Sequence, residues 1–248
     1  MGGSSVLRRG WLVALGVAVL LLAGCETRSI SNSGYPGNSY NPLYHGELSE
    51  LDVIGVDPVS PGTDAAIAHA LDIHRKPVVR RGDAVMLIQS GALMPDDAML
   101  QAMEPLFDVK SFSGVPLARN ASVPSAAGEA AYASALRMAA ARAGAETIVC
   151  YWGVLESARS GQASKLVSWV PVLGAVVPDE TQRMRIRLRM IVVDVRSGGW
   201  AMFSPEPLDD TALSAAINRA PSDQDQVARL KGAAYKSAAI QLVAQFGP

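Results

Sequence analysis

The sequence predicts an α/β (α+β) domain of two layers: a mixed sheet of about five strands that includes a β-hairpin, with helices mainly on one face. Three observations predict it. Apolar runs of strand length alternate with stretches of helical periodicity along residues 46–248. In "TQRMRIRLRMIVVDV", Arg183, Arg185, Arg187 and Arg189 alternate with Met184, Ile186, Leu188 and Met190, the period of a strand with one wet and one buried face. An alanine-rich helical pattern runs directly into the apolar "TIVCYW", a helix returning to a central strand.

The chain opens on a targeting segment. Arg8 and Arg9 precede an uncharged apolar run from Trp11 to Ala23, too short for a comfortable membrane span and laid out as a secretory signal. The run ends in Leu22-Ala23-Gly24-Cys25, which resembles the bacterial lipobox. That resemblance implies a signal peptide over residues 1–24, cleavage before Cys25, and acyl chains on its thiol and new amino group. An ordinary signal peptide or signal anchor with an accidental cysteine is the alternative. Two or three acyl chains, at about 0.8 kcal/mol per buried CH2, hold a protein at a bilayer stably where one does not. In such signals an Asp after the cysteine favours the inner membrane, so Glu26 favours the outer membrane; the expected facing is the periplasmic side.

Loss of residues 1–24 from the 248 leaves 224, enough for one domain with a sizeable core. Arg8 and Arg9 go with them, so 20 Lys+Arg face 23 Asp+Glu, a net charge of −3. A balance of that sign argues against general nucleic-acid binding. With Cys25 acylated, only Cys150 remains and no intramolecular disulfide can form; its apolar setting marks it as a buried thiol.

Residues 25–45 are rich in Ser, Asn, Gly, Pro and Tyr without apolar period. They read as a flexible tether, with Tyr35, Tyr40 and Tyr44 otherwise available to dock on the domain or on glycan. The single domain then runs over 46–248. Thr63 or Asp64 caps a short helix with Ile67, Ala68 and Leu71 on one stripe. Ala84–Gln89 is a buried strand ending at a glycine. In "MPDDAMLQAMEP", Asp96 and Asp97 suit a helix start, Met99, Leu100 and Met103 form the apolar face, and Pro105 limits the helix. "FDVKSFSGV" is a second strand, followed by a loop over about 113–127. In "GEAAYASALRMAAARAGAE", Tyr132, Leu136 and Ala140 share a helical face and Gly144 stands where a helix ends. "TIVCYWGVLESA" is the central strand, residues 182–195 the fourth, and "WAMFSP" the fifth, joined by the Arg196–Gly199 turn. A helix opening at Ser222 and Asp225, in capping-box spacing, completes the chain.

At this order of elements the chain resembles the α/β domain of curli-secretion-type (CsgG-like) lipoproteins and the amino-terminal domain of TolB. The resemblance covers roughly residues 80–203. It rests on "AVMLIQSGALMPDDAMLQAM", on "AARAGAETIVCYWGVL" with Gly144 and Gly153, and on "RMIVVDVRSGGW" with Asp194 and Gly198. It implies a non-enzymatic envelope protein that contacts or assembles with partners.

Motifs of nucleotide, zinc, thiol and serine-nucleophile chemistry are missing from the sequence. His45, His69 and His74 are not spaced as metal ligands, so no metal and no cofactor is expected. Asp209-Asp210, like Asp96-Asp97, reads as a helix cap.

Two features stay open. The arginine row Arg183, Arg185, Arg187 and Arg189 is either an anion or partner contact, for an envelope protein or an anionic glycolipid, or the solvated side of a sheet paired to carboxylates such as Glu146 or Glu156. The insert over 160–181 is apolar across Leu166–Pro178 and either folds over the domain's own core or meets a membrane or partner through Trp169, Val170 and Leu173. The expected function is a lipid-anchored envelope protein with a non-catalytic binding or assembly domain. A hydrolase with an unfamiliar site, or a subunit of a secretion complex, stands against it. Polar groups converging near Asp96, Tyr151 and Glu156 would favour the enzyme.

Overall fold

The computed structural model describes residues 26–32, 44–56, 62–116, 125–161, 180–214 and 219–248. In chain order they form β1 (Glu26–Ser29) with a 3-10 turn (Ile30–Asn32), α1 (Glu50–Ile54), α2 (Asp64–Ile73), β2 (Ala84–Ser90), α3 (Asp97–Met103), β3 (Asp108–Gly114), α4 (Ser125–Arg142), β4 (Thr147–Gly161), β5 (Glu180–Asp194), β6 (Trp200–Phe203), β7 (Leu208–Ser214) and α5 (Arg219–Phe246).

The seven strands make one mixed sheet, ordered β3-β2-β4-β5-β6. β2 runs parallel to both β3 and β4, as strands joined through helices do. β4 and β5 form an antiparallel ladder from Thr147↔Asp194 to Gly161↔Glu180. At about 3.4 Å per residue its fifteen rungs run roughly 50 Å. Its first rungs are flanked by β2 and β6, its later ones by β1 and β7.

The apolar alternation decides what each face carries. Leu87, Tyr151, Met184, Ile186, Leu188 and Met190 pack on one face under α3 and α5, with Tyr235, Ala238, Leu242 and Phe246 facing them from α5. Met86, Ile88, Ile148, Cys150, Ile191 and Val193 pack on the other under α4 and α1, with Leu136, Ala140 and Val53. The larger helical layer therefore lies on one face as expected, and a shorter one covers part of the reverse. Cys150 is fully buried there.

The sheet gains two strands over the expected five, both at the β4–β5 extension. Residues 26–32, assigned to a tether, instead form β1 and the turn. Glu26 stands opposite Ser157, and Ile30 is buried at 1% exposure. Regular structure is thus described already at Glu26–Asn32, ahead of Gly46. Asp209 and Asp210 lie within β7 rather than capping a helix. Backbone pairing to β5 overrides the poor strand propensity of Asp there.

Thr63 caps α2 as expected, accepting from the Ala66 amide at 3.2 Å. The α2 stripe, however, faces solvent: Ile67 is 53% and Leu71 73% exposed. β4 runs to Gly161 and β5 starts at Glu180, inside the range assigned to the insert, and residues 162–179 lie outside the described residues.

Candidate functional site

The odd side of β5 carries the arginines. Ile191 and Val193 on this side lie under the α4–α1 layer, while Arg187 and Arg189 are exposed. Each described guanidinium meets a carboxylate from a different element. Arg185 forms a two-pronged bond with Asp209 of β7, directly opposite it in register, through Nε and through Nη2 at 3.2 Å. That hydrogen bond raises the Arg185 guanidinium further above its already high range. Arg187 Nε donates to Glu156 of β4 at 3.0 Å. Arg189 Nη1 donates to Glu50, in the first turn of α1, where a carboxylate also suits the helix dipole. The three described guanidinium groups and their three carboxylates cancel in formal charge. A cleft of about 880 Å³ opens beside Arg187 and Arg189, between Ser49 of the α1 cap, Trp152, Val154 and Pro205.

The sequence named Glu156 as a partner and missed Glu50 and Asp209. Glu50 was legible: Ser49 and Asp52 form a capping box, with the Ser49 amide donating to Asp52 at 2.8 Å, and Gly55 closes the helix in the left-handed conformation. The Arg183 side chain and the three residues Trp169, Val170 and Leu173 lie outside the described residues, as does Cys25.

A second cluster forms on the opposite face, at the carboxyl ends of the parallel strands, where open α/β sheets place ligands. Asp96 occupies the residue before α3, yet its carboxylate makes no cap bond. It accepts instead from Tyr235 Oη at 2.6 Å and from Lys231 Nζ at 2.8 Å, two α5 residues four apart on one helix face. Gln89 Oε1 accepts from the Asp96 amide at 2.8 Å and from the Tyr151 hydroxyl, and its Nε2 donates to Ser31 Oγ at 3.1 Å. Burial holds the Tyr151 and Tyr235 hydroxyls well above their ordinary pKa of 10.0, so both remain protonated donors.

The turn after β1 closes this cluster. Lys231 Nζ donates to the Ile30 carbonyl at 2.9 Å, and Ser31 Oγ to the Ser90 carbonyl at 2.6 Å. Ile30 fits against Gly153: a Cβ there would lie 2.6 Å from Ile30 Cδ1. Asp96 and Tyr151 thus come together, while Glu156 lies on the other face. The missed members Gln89, Lys231 and Tyr235 carried one signal, a glutamine inside an otherwise apolar strand.

Among the described residues there is no group of three or more His, Cys, Asp or Glu placed to hold a metal ion. Among them, too, no helix is long and apolar enough to cross a membrane.

The family model described as YafT bacterial lipoprotein matches residues 49–245. No curated protein matches the chain. Among solved structures, a PelC dodecamer from Paraburkholderia phytofirmans is similar at 12% identity, covering 69% of this chain and 94% of that one with a TM-score of 0.32. The hypothetical protein CT253 from Chlamydia trachomatis is similar at 14% identity, covering 66% and 95% with a TM-score of 0.27. Scores this low carry no argument about function.

Proposed function

The chain belongs to the YafT bacterial lipoprotein family, and from that premise we propose that acyl chains on Cys25 anchor it in the outer membrane, on the periplasmic side, and that its domain binds or assembles with envelope components without catalysing a reaction. The family match is the observation that carries the lipid anchor of this reading. The lipobox-like Leu22-Ala23-Gly24-Cys25 supports the site of the anchor. The resemblance to CsgG-like and TolB amino-terminal domains supports the non-catalytic role, as analogy only.

A hydrolase built on Asp96 would need its carboxylate free to act on a substrate. Here the carboxylate is engaged by Tyr235 and Lys231, which supports the non-catalytic reading of this cluster. The partner surface proposed is the arginine side of β5 with its cleft, joined by Trp169, Val170 and Leu173 of the apolar insert. Its occupant is an envelope protein or an anionic glycolipid.

Mass spectrometry of the mature native protein tests the anchor. A chain starting at a triacylated Cys25 is expected; an unmodified Cys25 overturns it. Cross-linking from a photoreactive residue at Val154, in the same cleft, in intact envelopes tests the surface, and its failure to yield any adduct that the Arg185→Ala, Arg187→Ala variant loses would remove the arginines from the contact.

A further inference from the structure

We infer that the protein rests on the lipid bilayer by one defined end of its sheet, the end where β1 starts and the β4–β5 ladder finishes, with no tether between lipid and domain. This deepens the proposed anchoring and rests on acylation of Cys25.

The argument is one of register. β1 is antiparallel to β4, with Glu26 opposite Ser157 and Ser29 opposite Val154. The chain before Glu26 therefore heads towards the last rungs of the ladder, which closes at Gly161↔Glu180. Cys25 is the next residue, joined to Glu26 by one peptide of about 3.8 Å from Cα to Cα, and Glu26 stands opposite Ser157. The end of the ladder is four rungs beyond Ser157, about 14 Å. The headgroup layer is roughly 5–8 Å deep on each side of the hydrocarbon core. A lipid joined to Cys25 at the top of that layer therefore brings the last rungs into contact with it.

β1 is short, but it is not free to peel away. Ile30 is buried at 1% exposure in the slot that Gly153 leaves. Lys231 holds the Ile30 carbonyl, and Ser31 holds that of Ser90. Between Cys25 and this lock lie only the four residues of β1, all paired with β4. The register also sets Arg159 and Arg183 among the last rungs, at the depth of the lipid phosphates, while the Arg196–Gly199 turn lies at the other end of the ladder.

The test uses the full acylated chain in phosphatidylethanolamine–phosphatidylglycerol vesicles containing a headgroup-nitroxide lipid. A thiol fluorophore is placed through Arg159→Cys or Arg196→Cys; Cys150 is buried and Cys25 carries lipid. Quenching at Arg159→Cys is expected to be several-fold stronger than at Arg196→Cys. A ten-residue Gly-Ser insertion between Cys25 and Glu26, which leaves every contact of the fold in place, is expected to lower it towards the Arg196→Cys level. Equal quenching at the two sites, with Cys25 shown to be acylated, overturns this inference alone. So does quenching at Arg159→Cys that survives the insertion. An unacylated Cys25 overturns the anchoring and this inference together.

Discussion

Ile30 and Gly153 meet as a knob and an empty position, and that pair decides whether the first seven residues after the cysteine are structure or string. A Cβ on residue 153 would lie within 2.9 Å of three Ile30 side-chain atoms, so relief requires the whole side chain to move, not only its tip. Gly153→Ala is therefore expected to destabilise the protein by about 1–3 kcal/mol through overpacking. Ile30→Ala leaves a cavity and costs about 2–5 kcal/mol. The double variant should be less damaged than the sum, because the smaller residue at 30 makes room for the methyl at 153; additive losses in a denaturant-unfolding cycle would show that the two residues do not touch. Cys150 makes a second residue-scale case. Its thiol is completely buried, and burial pushes its pKa well above the ordinary 9.0. It should react with a bulky thiol reagent only when the protein unfolds, and rapid labelling of the native protein would contradict its place in the sheet. That placement was readable from "TIVCYW", because a small apolar-flanked cysteine has few alternatives. Ile30 was not, since a lone isoleucine among Ser, Asn and Thr has no period to announce burial.

At the scale of elements, β5 shows how far pattern reading goes. The alternation of Arg183–Met190 gave the strand, its two faces and the buried set Met184, Ile186, Leu188 and Met190, all below 6% exposure. It did not give the partners of the arginines, because those come from β7, β4 and α1, and pairing across elements leaves no local period. β7 itself, "LDDTALS", was hidden by its aspartates, and α1 by its length of five residues, although its cap was on view. The three ion pairs are exposed and screened, so they contribute little to stability. The Arg185→Ala, Arg187→Ala variant is accordingly expected to shift the thermal midpoint by less than about 4 °C in a protein of this size. A collapse of the fold would mean that the row supports the extension of the ladder. Binding to anionic glycolipid vesicles that falls with salt and disappears in this variant would establish the contact surface. Unchanged binding would make the arginines the solvated side of the sheet.

For the whole molecule, the legible part was the frame: alternating strands and helices, the central strand, the hairpin, and the final helix. The illegible part was closure, in which the residues after Cys25 return to cover the carboxyl ends of the parallel strands over the buried Gln89, Tyr151 and Tyr235. That closure has a global consequence in pH. The Tyr151 and Tyr235 hydroxyls and the Cys150 thiol are at least nine-tenths buried, and desolvation raises all three well above their ordinary values of 10.0, 10.0 and 9.0. The folded state keeps these protons at a pH where the unfolded chain has released them, so the folded state binds more protons and stability falls as pH rises. The contribution of these groups is fully present below pH 9.0 and is lost progressively above it, first through Cys150 and then, beyond 10.0, through the two tyrosines. Cys150→Ala removes the first step and leaves the second, while Tyr235→Phe, which also takes one donor from Asp96, reduces the second to the part owed to Tyr151. Denaturant midpoints measured from pH 7 to 11 should therefore be level to about pH 9 and then decline. A midpoint independent of pH across that range would mean that these hydroxyls reach water in the native protein, and the covered end of the sheet would have to be open.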